Sequence, residues 1–194
     1  MRPDEIRAIA EEHQETVREF FARNAEEIAR AEGLLTSSLA RGGTVLLCGN
    51  GGSAADAQHL AAELTGRFLR ERPGLPAVAL TTDSSALTAI GNDYGFDRIF
   101  ARQVEALGRP GDVLIAITTS GSSLNVLQAI HAARARQLSV IGLLGRDGGA
   151  ARALCDVALV VESGVTARVQ EVHILVGHIL CEAVDRVLAG PREE

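Results

Sequence analysis

No lysine occurs among the 194 residues; all 19 basic side chains are arginines. Chemistry that depends on a lysine amine is excluded, so a Schiff-base aldolase, a pyridoxal-phosphate enzyme or a Walker-type nucleotide loop cannot be built from this chain. Tryptophan is missing too, and five Phe with one Tyr leave little aromatic surface for stacking on bases. The formal net charge of −6 points the same way, because nucleic-acid and anionic-membrane surfaces select basic proteins. Apolar runs such as Val113 to Ile117 fall far short of a membrane span. The opening Met-Arg-Pro-Asp-Glu-Ile has no apolar signal-peptide core. The expectation is a cytoplasmic protein with neither nucleic acid nor membrane as partner. Three cysteines, Cys48, Cys155 and Cys181, lie in apolar stretches without CxxC spacing and read as reduced, buried core residues.

What is present is ordinary globular material: 46% hydrophobic residues in one domain of 20.4 kDa, enough for a substantial core. Over the first forty residues Ile6, Ala10, His13, Val17 and Phe20, then Ile28, Leu34, Leu35 and Leu39, follow a helical stripe, which predicts one long helix or a helix pair. Gly42-Gly43 stops it. Five short apolar runs follow, Thr44 to Cys48, Ala77 to Leu80, Val113 to Ile117, Val140 to Leu144 and Val157 to Val161, each typical of a strand buried on both faces. Helical spacing separates them at residues 53 to 68, 84 to 108, 124 to 136 and 147 to 154. A last helix is predicted from Thr166 to Leu188, ended by Gly190-Pro191. Alternation of strand and helix implies a parallel sheet with right-handed crossovers.

In such a sheet a ligand sits beyond the carboxyl ends of the strands, so the loops after strands matter most. Gly49-Asn50-Gly51-Gly52-Ser53 allows close backbone approach and opens a helix whose first N–H groups lack partners. It suits an anion or a sugar, or is merely a tight turn with Ser53 as N-cap. It matches neither GxGxxG nor GxxxxGK[ST], so nucleotide-fold labels do not transfer. Thr118-Thr119-Ser120-Gly121-Ser122-Ser123 presents five hydroxyls at the start of the next helix. Hydroxyls and backbone N–H groups there can hold a phosphate dianion without lysine; a solvated, capped turn is the plainer reading.

Two helices carry further candidates. His59 and Glu63, four residues apart, share a face, with Asp56 one turn earlier, a spacing that suits two ligands of one metal and is also common on surface helices. In the last helix Gln170, His173 and His178 interrupt an apolar stripe, and polar groups on a buried helix need partners. His173 reads equally as a satisfied core histidine. Gln170 and His178 stand about 12 Å apart along the axis, so they share a metal only by reaching toward it, or else meet it from different subunits.

Together the segments CGNGGSAADAQHLAAELTGRF (Cys48 to Phe68), GNDYGFDRIF (Gly91 to Phe100), TTSGSS (Thr118 to Ser123) and TARVQEVHILVGH (Thr166 to His178) resemble the phosphoheptose isomerase branch of the sugar-isomerase (SIS) domain proteins. The resemblance covers essentially the whole chain. It implies an α/β fold: a flavodoxin-like three-layer sandwich with a five-stranded parallel sheet and an N-terminal helical extension. The chain 1–194 is then a single SIS domain, with N-terminal helices in 1–41 used in oligomerisation and an α/β core at 42–190. It further implies a homotetramer with active sites at subunit interfaces. The implied reaction interconverts sedoheptulose 7-phosphate and D-glycero-D-manno-heptose 7-phosphate, the first step toward ADP-heptose and related nucleotide-heptoses for cell-envelope glycans.

Carried over by motif, the ligands of one zinc ion fall on His59, Glu63, Gln170 and His178. Phosphate-binding hydroxyls fall on Thr118, Thr119, Ser120 and Ser123, and sugar contacts on Asn50, Gly51, Gly52, Asn92 and Asp93, with Glu63 and Gln170 also facing substrate. Thr118 stands where the family often has Ser, and Ala167 where some members are acidic; Arg67 matches a family arginine near the site. Proton transfer through a cis-enediol needs a base at carbon, for which Glu63 is the candidate, and an acid or base at oxygen, for which His178 is the candidate, with Asp56 available to orient His59. Metal binding lowers the basicity of a carboxylate, so the two roles of Glu63 pull against each other. A sister branch of SIS tetramers binds the replication initiator DnaA without catalysis and lacks the acidic residue and second histidine. Glu63 and His178 favour the enzyme.

Overall fold

In the computed structural model, which describes residues 1–189, the alternation of side chains along each strand divides the interior into two cores. The strands are β1 (Val45–Gly49), β2 (Ala77–Ala79), β3 (Val113–Thr118), β4 (Ser139–Gly145) and β5 (Val157–Val161), all parallel in the order β2-β1-β3-β4-β5. This is the flavodoxin-like order, and its direction reverses between β1 and β3. Val45 and Leu47 face one core with α1 (Pro3–Ala40), α2 (Gly52–Thr65) and α6 (Thr166–Leu188). Leu46 and Cys48 face the other, with α4 (Ala101–Leu107) and α5 (Leu124–Ala135). Each fully buried Leu or Ile in these layers contributes about 2 kcal/mol of transfer free energy.

The N-terminal stripe forms one unbroken helix of 38 residues rather than a pair or set of helices. Pro3 at its start and Asp4 and Glu5 in its first turn suit a helix N-terminus. Phe20, Ile28, Ala31, Leu35 and Leu39 are buried against α6 and β5, whereas Ile6 and Ile9 remain exposed. The span 84 to 108, expected to be helical throughout, breaks into α3 (Ser84–Tyr94), a 3-10 turn at Phe96–Arg98 and α4. Gly95, at φ 92°, turns the chain between them. The short stretch before β5 is a 3-10 helix, Gly149–Leu154. The Gly190-Pro191 stop lies outside the described residues.

All three cysteines are free, but only Cys48 and Cys181 are buried; Cys155 is half-buried. Burial pushes each thiol up to about 12, so none is a ready nucleophile. Among the described residues no helix is long and apolar enough to cross a membrane.

Candidate active site

The glycine loop after β1 and the hydroxyl loop after β3 flank the point where strand order reverses, the crevice in which this architecture binds ligands. They are joined across it. Asn50 Nδ2 donates to Asn125 Oδ1 at 2.9 Å, and Asn125 Nδ2 donates back to Asn50 Oδ1 at 2.8 Å. Asn125, in the first turn of α5, is 4% exposed, so this amide is a buried strut rather than a surface group. Its Oδ1 also accepts the Val126 N–H.

In the hydroxyl loop Thr118 is buried at the end of β3, and its Oγ1 lies 3.2 Å from Ser123 Oγ and 3.4 Å from Ser120 Oγ. Ser123 occupies the N-cap position of α5 yet makes no capping bond. Its hydroxyl turns to Thr118, so the first N–H groups of α5 receive no cap from it. Gly121, at φ 65°, lets the loop fold back; a Cβ there would strike the Gly148 carbonyl. Thr119 and Ser120 are half-buried beside it.

The glycine loop enters α2 through Gly51 as N-cap with no side-chain cap, and Ser53, the expected cap, is instead buried. Gly52 is needed for a second reason: a Cβ would collide with the amide of Gln170, which reaches across from the first turns of α6. Asn92 and Asp93 are exposed near the end of α3, where Asn92 Nδ2 donates to Asp93 Oδ1 at 2.7 Å.

Two turns further along α2 a second group forms. His59 Nε2 is 3.0 Å from His178 Nε2 and 3.4 Å from Glu63 Oε1. Phe68 stacks on His178, with centroids 5.4 Å apart and planes inclined by 27°. The chain therefore brings three of the four expected metal ligands together, while the Gln170 amide packs on Gly52, seven residues and about 10 Å of helix rise before His59 on α2. Two imidazole nitrogens and a carboxylate oxygen are a donor set suited to zinc. Even so, among the described residues no group of three or more His, Cys, Asp or Glu is arranged to hold a metal ion.

Asp56 has one oxygen buried without a hydrogen-bond partner; burial raises its carboxyl above the ordinary range, while neighbouring His59 pulls the other way. No hydrogen bond joins it to His59 among the described residues. Arg67 is exposed and faces Glu71 at 3.6 Å. His173 is a core residue: 1% exposed, with its Nε2–H directed to the Leu144 carbonyl at 3.0 Å.

Sequence reasoning missed three contributors. Asn125 and Phe68 sit at periodic helical or apolar positions with no distinguishing signal. Arg72, in the connection from α2 to β2, is buried with its guanidinium against the end of α2.

The family model described as SIS domain matches residues 10–145. A phosphoheptose isomerase from Rhodospirillum rubrum is 57% identical over 190 residues, covering 96% of this chain and 99% of that protein. The chain belongs to the phosphoheptose isomerase family of SIS-domain proteins. Another member, from Solidesulfovibrio magneticus, is 60% identical over 169 residues, covering 87% of this chain and 82% of that protein. The solved phosphoheptose isomerase GmhA of Neisseria gonorrhoeae superposes with a TM-score of 0.89 at 50% identity, covering 95% of this chain and 98% of that one. One from Francisella tularensis gives 0.91 at 43% identity, covering 94% and 97%. The initiator-binding alternative finds no support among these members of the phosphoheptose isomerase family.

Proposed function

We propose that this chain interconverts D-sedoheptulose 7-phosphate and D-glycero-D-manno-heptose 7-phosphate, the opening step of ADP-heptose synthesis for envelope glycans such as lipopolysaccharide. The observation that carries this reading is the meeting of Glu63 and His178 around His59, a carboxylate and an imidazole delivered by two different helices. An aldose–ketose isomerisation moves one proton between adjacent carbons and another between their oxygens, which calls for such a pair. Glu63 removes the proton α to the carbonyl, giving a cis-enediol, and returns it to the neighbouring carbon. His178 carries the proton between the two oxygens.

Substrate is held at the crevice loops. Hydroxyls of Thr118, Thr119, Ser120 and Ser123 and the N–H groups opening α5 bind the phosphate dianion, which explains how a lysine-free chain manages that charge. Asn50, Gly51, Gly52, Asn92 and Asp93 contact the sugar hydroxyls, with Gln170 beside them. His59, Glu63 and His178, with Gln170 as the fourth ligand, would hold one zinc ion. When bound, that ion polarises the carbonyl and stabilises negative charge on oxygen, an effect of several kcal/mol.

The same reading makes the protein a cytoplasmic homotetramer with sites at subunit interfaces. One feature supports it: Tyr94 and Phe96, next to Asn92 and Asp93, are exposed at 57% and 68%. Glu63→Gln and His178→Gln are each expected to lower kcat on sedoheptulose 7-phosphate about 10²-fold or more. Near-wild-type turnover by both overturns the assignment of roles. Metal analysis before and after chelation tests the zinc: activity that survives complete metal removal excludes it.

A further inference from the structure

Arg72 and Asp185 form an ion pair with side chains 0% and 1% exposed, Nε to Oδ1 at 2.8 Å. The remaining guanidinium N–H groups donate to the last carbonyls of α2 and the turn beyond: Glu63 O at 2.9 Å, Leu64 O at 2.8 Å and Gly66 O at 3.2 Å. Helix ends leave such carbonyls without partners, and a cation is the favoured cap there. The last turn of α2 contains no basic residue of its own. The second oxygen of Asp185 accepts the N–H groups of Leu69 at 2.7 Å and Arg70 at 2.8 Å, next to Phe68, the ring stacked on His178. Asp185 stands two turns beyond His178 on α6. One pair thus grips the backbone of Glu63 on one side and the backbone that presents Phe68 on the other.

The pair supplies partners to five backbone groups that apolar side chains would leave unsatisfied, so it ties the end of α2 and the segment after it to α6. We propose that Arg72 and Asp185 are positioning residues that set the spacing between Glu63 and His178. The proposal rests on the isomerase reading above, in which those two groups exchange protons with the same substrate. Small displacements of reacting groups, of about 1 Å, are enough to cost about 10²-fold in rate.

The test compares Arg72→Met/Asp185→Leu, which removes the clamp while keeping the site apolar and filled, with Arg72→Lys, which keeps the charge and part of the bonding. Ile130→Val, in the opposite core, serves as a packing control. With sedoheptulose 7-phosphate, the double variant is expected to lose about 10²-fold in kcat with KM within about threefold of wild type. Arg72→Lys should recover part of that loss, and Ile130→Val should leave kcat intact. A double variant, or Arg72→Lys if the double variant does not fold, that retains wild-type kcat overturns the proposal. If the wild-type protein does not turn over the heptulose phosphate, the isomerase reading fails by itself. The clamp is then judged by hydrogen exchange: amides from Glu63 to Arg70 should exchange faster in the clamp variants than in the packing control, and equal protection overturns it.

Discussion

His173 shows how much one buried imidazole imposes on the whole chain. Desolvation pushes its pKa down to about 4, against a smaller upward pull from its hydrogen bond to the Leu144 carbonyl. The folded state therefore refuses a proton that the unfolded chain accepts near the ordinary value of 6.5. Stability from this source is complete above 6.5, declines as the pH falls and is exhausted by about 4, a loss of about 3 kcal/mol. Asp185 acts in a lower window. Burial raises its carboxyl, but hydrogen bonds from Arg70, Arg72 and Leu69, with the Arg72 charge, outweigh that and hold it below the usual carboxylate range. Its contribution is present above the ordinary carboxylate value and lost as the pH falls through the depressed one. Denaturant melts of wild type and His173→Gln across pH 4 to 6.5 should diverge, with the variant curve flatter. Parallel curves would mean that His173 is not the group responsible.

At the scale of elements, the two crevice loops behave as one unit because Asn50 and Asn125 satisfy each other. Asn125→Ala removes both side-chain partners of the half-buried Asn50 amide and leaves the two loops unjoined, a cost of about 1 kcal/mol. It should lower the thermal midpoint and raise KM for the sugar phosphate by about tenfold, with kcat less affected; an unchanged KM would show that the loops hold their shapes independently. The outer limits of this arrangement were legible in the sequence. Continuous apolar runs located all five strands within a residue or two, because a strand buried on both faces has no polar positions to blur it; β2, at the sheet edge, is the exception in leaving Val78 exposed. Hydroxyl density and glycine content singled out the two loops, and the four-residue spacing of His59 and Glu63 placed them on one face. The rest depends on tertiary contacts. Nothing local distinguishes Asn125 from a solvated helix residue, Arg72 from a surface arginine before a proline, or the site of Gln170 at Gly52 from one beside His178. The 84 to 108 span failed for a related reason: apolar spacing continued through Gly95, while the backbone there took a positive φ that no helix continues.

At the scale of the whole molecule, α1 is about 57 Å long, and its first turns carry Ile6 and Ile9 exposed at 56% and 41%. In a homotetramer those side chains would be covered, and the folded subunit would gain stability from its neighbours by mass action. The melting temperature should therefore rise with protein concentration, and Ile6→Asp/Ile9→Asp should abolish that dependence and shift the sedimenting species toward smaller forms. A concentration-independent midpoint in the wild type would argue against assembly through this helix.

The way α1 docks also has a consequence for the order in which the molecule is made. His13 meets Glu171 at 2.7 Å, and Arg168 reaches back to the Ile9 carbonyl at 2.7 Å, so the first helix is fastened by α6. During synthesis at about 5–20 residues per second, its apolar stripe must wait on the order of ten seconds or more for α6 to emerge. Until then the nascent chain displays a long amphipathic surface with no partner of its own, the interval in which chaperones or sister chains have access to it.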